Sequence, residues 1–421
     1  MNQRIAIIGA GPAGLTAAWQ LKARGYNSVK IFEKNKRVGG KCCTPTIDGR
    51  NYELGAVIVG PTTYRVVNQL IKEFGLSCTP INKTKLLDSS RGGGINKFKM
   101  AIDFFIRYRP ALKKFFAANY QIPEFSEAGY LGFDLETFGV TFTDWAKREG
   151  LEDLIDIFAP IYTGFGYGYL NQISAPQFFK IYDPGRLQKS FNFKLAREPG
   201  MVTIDEGFQG LFERVAAQQN VLLDCRVSKI ERGETVKITT GHGTEEFDKL
   251  ILACPLHRIH PAMDLSSTEK KLFKQIRIID YQTVTAEIEG LGPKGLMFMV
   301  DNMTDDRAGH IVCGYRRYSE TDIWAIYAIN DGTNTDAQII EKVSADLKAV
   351  GATLKHIHRH DKWDFYPNVS PESFRSGFYP AIESIQGDNN TYIAGEIMGA
   401  ATVESTSNYS NELVKRFFPK G

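Results

Sequence analysis

The sequence predicts an α/β protein with a Rossmann-like sheet, and two regions at opposite ends of the chain carry this prediction. Residues 4–33 have the pattern of a strand, a glycine-rich turn, a helix and a second strand that ends in an acid. Residues 391–417 have the pattern of a strand, an Ala-Gly-Glu turn and an amphipathic helix. Alternation of strand and helix signals is typical of a sheet covered by helices.

The first region follows the pattern of a dinucleotide-binding unit. The apolar residues 4–8 lead without a spacer into a G-x-G-x-x-G turn. Gly9 permits the tight turn, Gly11 lets the backbone approach a pyrophosphate, and Gly14 lets the helix pack on the strand. Glu33 follows Gly14 by 19 residues and can accept hydrogen bonds from a ribose diol. The helix N-terminus offers unpaired N–H groups to phosphates.

The residues after Glu33 suggest a second approach of backbone to the same ligand. Gly39 and Gly40 are adjacent, and Lys41 follows them with a charge that can neutralise phosphate. Gly55 could let the main chain lie against a flat ring. The alternative for Gly39 and Gly40 is an ordinary Gly-Gly hairpin turn with no role in ligand binding.

Composition narrows the class of protein. A chain of 421 residues with 43% apolar content predicts two or three domains with sizeable cores. The net charge of +3 gives no reason to expect a nucleic acid partner. The six cysteines form no C-x-x-C pair, and the first strand signal begins at Arg4, so we expect reduced thiols and a cytoplasmic protein. Residues 1–80, 200–260 and 386–421 are predicted to form the cofactor domain, residues 81–199 a helical cap and residues 261–385 a substrate-domain sheet.

Two segments of the cap indicate what the protein binds. Residues 161–169 alternate aromatic residues with glycine, which suits a slot around a flat ring or a long apolar ligand, or else a packed aromatic corner. Residues 83–114 hold nine Lys and Arg against Asp88 and Asp103, with aromatics between them. This mixture suits a basic amphipathic helix in transient contact with a membrane surface, or a solvated basic face over an apolar core.

The terminal regions together resemble the flavin-containing amine oxidoreductase superfamily, whose members carry the strand-turn-helix-strand-acid unit followed by R-x-G-G-R. Here Lys41 stands in place of the last arginine. The resemblance implies FAD as the cofactor and an FAD-binding Rossmann-like domain of the glutathione reductase 2 type, with an inserted mixed-sheet substrate domain and a helical cap. It also implies that the main chain at Val227 meets the adenine, that Glu396 reaches the ribityl–pyrophosphate region, and that the helix opening at Val403 points toward the isoalloxazine ring. The predicted cofactor-binding residues are Gly9, Gly11, Pro12, Ala13, Gly14, Glu33, Gly39, Gly40, Lys41, Gly55, Ala56, Val57, Val227, Glu396 and Val403.

Within that superfamily the chain is similar to bacterial polyunsaturated fatty acid double-bond isomerases, at residues 165–168, 301–303, 309–310 and 365–370. The resemblance implies a small lipid-like substrate and hydride transfer to and from flavin N5 without net oxidation. It also implies that Tyr162 and Phe165 line the slot and that Lys85 or Arg91 binds a carboxylate. We predict no metal site.

Two other functions stay open. A flavin amine oxidase usually has an aromatic residue just before its C-terminal helix, where this chain has Thr402. A non-catalytic flavoprotein that binds lipid would have the same cofactor unit.

Overall fold

The computed structural model describes residues 2–118, 122–123, 129–182, 184, 187 and 200–420, without the side chain of Lys97. The end of the predicted cap, residues 188–199, lies outside the described residues. No helix of the described part of the chain combines the length and the apolar character needed to cross a bilayer.

The strands of the described residues are numbered in chain order. They are β1 Ile5–Ile8, β2 Val29–Phe32, β3 Thr46–Ile47, β4 Arg50–Asn51, β5 Cys78–Pro80, β6 Thr84–Leu87, β7 Val202–Ile204, β8 Val221–Leu222, β9 Val227–Arg232, β10 Val236–Thr240, β11 Gly243–Phe247, β12 Lys249–Leu252, β13 Arg277–Glu289, β14 Gly295–Met299, β15 Ile311–Arg316, β16 Ile323–Asn330, β17 Thr353–Asn368 and β18 Thr391–Ile393.

The helices connect and cover these strands. The α-helices are Pro12–Ala23, Val66–Glu73, Lys97–Asp103, Arg109–Ala117, Leu135–Phe138, Phe142–Arg148, Asp153–Tyr162, Ala175–Ile181, Gly207–Ala216, Leu256–Ile259, Ser267–Phe273, Asp336–Ala349, Pro371–Arg375, Phe378–Ser384, Glu396–Gly399 and Val403–Phe417. A π-helical turn, Phe104–Tyr108, joins the third and fourth of them.

A parallel sheet has the order β18-β12-β1-β2-β8 and contains the strands of the predicted dinucleotide-binding unit. All four residues of β1 are buried, because strands on both sides and helices on both faces cover it. The helix Pro12–Ala23 follows β1, and Pro12 suits its first turn since proline lacks the N–H that would be unpaired there. The predicted α/β fold class is confirmed.

A mixed sheet with the order β17-β13-β16-β15-β14-β6 contains the strands of the region predicted to be the substrate domain. β13 and β17 are long antiparallel partners, and both lie within residues 261–385, the range predicted to form a sheet. One strand has an unexpected origin: β6, from the segment predicted as a helical cap, adds to this sheet parallel to β14. Residues 84–87 therefore belong to the mixed sheet and not to the cap. The rest of the domain division remains a proposal. The cap is otherwise helical where it is described.

Candidate functional site

A cavity of about 1090 Å³ opens at the carboxyl ends of the parallel strands. Gly9 follows β1, Glu33 follows β2, Cys254 follows β12 and Glu396 follows β18, and all four border the cavity. Open α/β sheets bind ligands at this edge, because the strand ends and helix N-termini converge there. The volume exceeds the usual range of roughly 300–1,000 Å³ for a small-molecule pocket, so a dinucleotide and a second ligand can share it.

Two glycine turns meet at one wall of this cavity. A Cβ placed on Gly40, whose φ is +56°, would lie 3.2 Å from the Cα of Gly11. A Cβ on Gly9, whose φ is +107°, would lie 2.5 Å from the carbonyl oxygen of Ala253. Side chains at these positions would collide with neighbouring main chain, so glycine is required for the turns to pack this closely beside the cavity. Gly11 also caps the helix Pro12–Ala23 without a side-chain hydrogen bond, which leaves that helix N-terminus to a ligand.

The acid at the end of β2 is held in place by main-chain donors. Glu33 Oε2 accepts a hydrogen bond of 2.9 Å from the N–H of Ala10, and Oε1 accepts one of 2.9 Å from the N–H of Asn35. The residue is 5% exposed and borders the cavity. Oε1 also accepts a hydrogen bond of 2.7 Å from the side-chain amide of Asn35, so one of the roughly four acceptor positions of the carboxylate is left for a ribose hydroxyl.

The N-terminal and C-terminal parts of the site are joined by an ion pair. Lys41 Nζ lies 2.8 Å from Glu396 Oε2, and both residues border the cavity. Gly55 packs against the same segment, since a Cβ on it would lie 2.0 Å from the carbonyl oxygen of Lys41. The helix Val403–Phe417 begins beside them, with the Thr402 hydroxyl accepting from the N–H of Ser405 at 2.9 Å.

The far arm of the cavity is an aromatic slot, formed by Phe165, Tyr167, Tyr281, Tyr327 and Phe365. The rings of Tyr281 and Tyr327 stack with centroids 5.5 Å apart and planes 9° apart, and Phe365 stacks on the other side of Tyr281 at 5.2 Å. Tyr167 stacks on Phe365 at 6.0 Å. These contacts make a wall of ring faces and edges.

The tyrosines of this wall are neutral hydrogen-bond donors. Burial raises the pKa of Tyr167, Tyr281 and Tyr327 well above the usual value. Tyr327 donates to the carbonyl oxygen of Glu53 at 3.0 Å, and Tyr281 donates to that of Gly164 at 3.4 Å. With those hydroxyl groups directed at protein carbonyls, the slot suits an apolar ligand.

Comparison with known proteins identifies the family. The family model for flavin-containing amine oxidoreductases matches residues 12–405. The chain belongs to the flavin-containing amine oxidoreductase family. A FAD-dependent oxidoreductase of Colletotrichum higginsianum is 23% identical over 430 residues, which cover 93% of this chain and 88% of that protein.

Two solved structures share the fold over nearly the whole chain. The crystal structure of a CLA-producing fatty acid isomerase from P. acnes has a TM-score of 0.91 and 26% identity, with 99% of each chain covered. Cyclohexylamine oxidase from Brevibacterium oxydans IH-35A has a TM-score of 0.69 and 14% identity, with 99% of this chain and 98% of that chain covered. The high coverage includes the mixed sheet and the helices as well as the parallel sheet.

FAD is the cofactor of this oxidoreductase, and the cavity fits it. The glycine cradle, the helix N-terminus at Pro12 and Ala13, and the carboxylate of Glu33 are the groups that would hold its pyrophosphate and ribose. Among the predicted cofactor-binding residues, all except Gly14 and Gly39 border the cavity. Both exceptions support the turns from behind: a Cβ on Gly14 would meet the Gly9 carbonyl at 2.0 Å, and Gly39 donates to the Ala10 carbonyl at 2.8 Å.

Three of the four residues predicted to act on substrate lie elsewhere. Phe165 borders the cavity, whereas Tyr162 is fully buried behind it and packs against Tyr167 and Phe178. Tyr162 ends the helix Asp153–Tyr162, where the helical turn directs its ring into the cap core.

The two basic candidates are also outside the cavity. Lys85 Nζ donates to the Leu291 carbonyl at 3.2 Å at the edge of the mixed sheet, because β6 joins that sheet. Arg91 is 59% exposed in its side chain and pairs with Asp88 at 3.3 Å. The structure does not bring either cation to the slot, which corrects the expected placement.

Sequence reasoning missed a buried acid next to the cavity. Glu53 is 1% exposed, accepts from the Thr44 hydroxyl and the Phe208 N–H at 2.7 Å each, and lies 3.9 Å from Arg317 Nη1. Burial raises the pKa of Glu53 to about 7, since the distant guanidinium compensates only in part. Glu53 lies two positions before Gly55, which borders the cavity. Its hydrogen bonds with Thr44 and Phe208 therefore fix the position of this segment.

A hydrogen-bonded relay holds the same segment from the other side. Trp363 Nε1 donates to Thr283 Oγ1 at 3.0 Å, and Thr283 Oγ1 donates to the Leu54 carbonyl at 2.9 Å. Trp363 borders the cavity. The sequence carries no local signal for this relay, because its members come from β13, β17 and the loop before Gly55.

Proposed function

We propose that this FAD-dependent enzyme isomerises double bonds of an unsaturated fatty acid. The observation that carries the proposal is the aromatic slot, which continues the cofactor cavity with ring faces and with buried, neutral tyrosines. The likeness to a CLA-producing fatty acid isomerase, at a TM-score of 0.91 over 99% of both chains, supports the same reading. Flavin bound in the cavity supplies an acceptor that can take a hydride from an activated methylene and return it to another carbon, so the product is an isomer and nothing is oxidised overall.

The protein's own residues would favour such a reaction in three ways. Phe165 and Tyr167 cover one side of the slot with aromatic rings, which would exclude water from the positive charge that hydride removal leaves on the substrate chain. Ring faces also stabilise positive charge through their quadrupole. Tyr281, stacked between Tyr327 and Phe365, forms a flat wall that favours an extended polyene over a branched ligand.

The residues that the sequence suggested for binding the substrate carboxylate do not lie at the slot. Lys85 and Arg91 do not border the cavity, so neither can bind the substrate carboxylate there. We therefore propose that the aromatic slot selects the substrate by the shape of its chain. A charged group on the substrate would then lie toward the cavity opening, where it keeps its hydration.

The second candidate is a flavin-dependent amine oxidase that uses oxygen, which the family and the likeness to cyclohexylamine oxidase favour. Thr402 argues against it. This residue borders the cavity with a hydroxyl group that caps a helix, where an amine oxidase would present an aromatic wall.

One experiment separates the two functions. In the first assay, the FAD-loaded protein is incubated with free polyunsaturated fatty acids under nitrogen, and the ultraviolet absorption of a conjugated diene is followed. In the second assay, the protein is incubated with primary and secondary amines in air, and hydrogen peroxide is measured. Diene without peroxide supports the isomerase. Peroxide with an amine, and no diene with any acid, supports the oxidase.

A further inference from the structure

An apolar face without a partner lies on the helix Lys97–Asp103 and the π-helical turn after it. Phe98 is 77% exposed, Phe105 is 63% exposed and Ile106 is 71% exposed. Among the described residues, six of the eight exposed large hydrophobic side chains fall between residues 98 and 106. Single exposed hydrophobic residues are normal, whereas a contiguous group of them marks an interaction site.

The spacing of these residues is that of a helix face made to be covered. Phe98, Ala101, Ile102, Phe105 and Ile106 form what is here called the apolar face, at positions i, i+3, i+4, i+7 and i+8. This is the pattern with which a helix normally packs on a protein core. Here all five residues are exposed.

The segment is joined to the rest of the protein at its C-terminal end. The helix Arg109–Ala117 buries Leu112 and Phe115, and the Phe115 ring packs against Phe158 at 5.5 Å. Arg107 donates to Asp153 at 2.8 Å and so ties the π-helical turn to the helix Asp153–Tyr162. The apolar face is therefore presented by an anchored element.

Positively charged residues flank the apolar face along the chain. Lys99, Arg109 and Lys113 are exposed, and Asp103 is the sole acid of residues 97–118. A helix with aromatic and aliphatic residues on one face and Lys or Arg at its borders is suited to the interface of an anionic membrane, where the rings enter the headgroup region and the cations meet phosphate.

We infer that the apolar face docks the protein reversibly on an anionic phospholipid surface. We infer an anionic membrane as the partner because the apolar face suits the lipid interior and the flanking Lys and Arg residues suit the phosphate groups. The inference does not depend on the proposed function, since it uses none of the cavity residues. The element is short, about three turns, and binding is accordingly weak and reversible.

Vesicle co-sedimentation with the FAD-loaded full chain tests this inference. Vesicles of phosphatidylcholine alone are compared with vesicles containing one quarter phosphatidylglycerol. The test variant combines Phe98→Ser, Phe105→Ser and Ile106→Ser. The matched control combines Leu223→Ser and Ile278→Ser, which remove the two exposed large hydrophobic residues outside the face.

The wild type and the control should sediment with the anionic vesicles, and the triple variant should partition at least about tenfold less. Arg109→Gln and Lys113→Gln should each weaken partitioning roughly fivefold, with the effect lost at high salt. Unchanged FAD absorbance and thermal midpoint show that every variant is folded.

Four results would overturn the inference. The first is wild-type protein that stays in the supernatant with both vesicles, and the second is equal sedimentation of the wild type and the triple variant. The third is a dimer, detected by light scattering without lipid, that the triple variant dissociates, since the face would then belong to a second copy of this chain. Equal binding to both vesicle types would reject the anionic surface as the partner.

Discussion

Lys41 Nζ and Glu396 Oε2 lie 2.8 Å apart, although 355 positions of the sequence separate the two residues. The pair closes the cofactor cavity between the Gly-Gly segment and the last strand of the parallel sheet. The side chains are 26% and 16% exposed, so the charges are partly shielded from solvent. The ion pair thus couples the expected roles of these residues toward phosphate and the ribityl region.

A double-mutant cycle on this pair should detect the coupling. Lys41→Met and Glu396→Gln should each weaken FAD retention, and the double variant should lose less than the sum, with a coupling free energy of about 1 kcal/mol. The measurement is the dissociation constant of FAD for the stripped protein. The control is the pair of Lys30 and Glu245, at 2.7 Å on the protein surface, whose removal should leave FAD binding unchanged. Additive effects at Lys41 and Glu396 would refute the coupling.

Glu33→Ala should release FAD more readily than the wild type. The substitution removes an acceptor for the ribose diol, and each hydrogen bond to a charged group contributes about 1.5–3 kcal/mol. The ratio of flavin to protein absorbance after dialysis measures the loss. Glu234→Ala, at an exposed acid, is the control. Full retention of FAD by Glu33→Ala would contradict the assigned role.

Glu53 should make stability depend on pH. Its pKa in the folded protein is raised from 4.5 to about 7 by burial, so the protonated carboxyl favours the folded state. This contribution is fully present below about pH 4.5 and is lost as the pH rises through about 7. From pH 5 to pH 8, Glu53→Gln should therefore gain stability relative to the wild type, by at most about 3 kcal/mol. Urea unfolding across this range measures the difference, and parallel pH profiles would contradict it.

Gly166 and Gly377 offer a matched test of the aromatic slot. Both have a φ of +84°, so alanine brings similar backbone strain at each. A Cβ on Gly166 would lie 2.6 Å from the Tyr281 ring, whereas a Cβ on Gly377 would meet nothing within 4 Å. Gly166→Ala should thus displace Tyr281 and reduce turnover, while Gly377→Ala should cost only stability. Equal turnover in the two variants would show that the Tyr281 position does not matter.

The cofactor half of the site could be predicted from the sequence because its signals are local. The glycine turns and the acid after β2 depend on backbone shape within one strand-turn-helix unit, and that unit folds as the motif requires. Glu404 shows the limit of such reasoning. Its buried carboxylate accepts from the N–H groups of Arg65, Val66 and Val67 and caps a helix that lies more than 300 positions earlier.

The substrate half depends on strand pairing, which the sequence does not specify. Tyr281 stacks on Tyr327 because β13 pairs with β16 in one register, and a shift of one residue would turn the ring to the other face. The resemblance to the fatty acid isomerases predicts Lys85 at the substrate carboxylate. Its strand instead joins the edge of the mixed sheet, and that pairing carries the side chain away from the cavity.

Electron balance tests the central claim most directly. FAD-loaded protein is mixed under strict anaerobiosis with a large excess of a polyunsaturated fatty acid, and the conjugated product and the flavin spectrum are recorded together, for the wild type and for Phe165→Ala. An isomerase should form many equivalents of conjugated diene per flavin, end with the flavin oxidised, and slow sharply in the variant, which lacks a ring of the slot. At most one equivalent of product per flavin, with the flavin left reduced until air is admitted, would contradict the account and assign the protein to the oxidases.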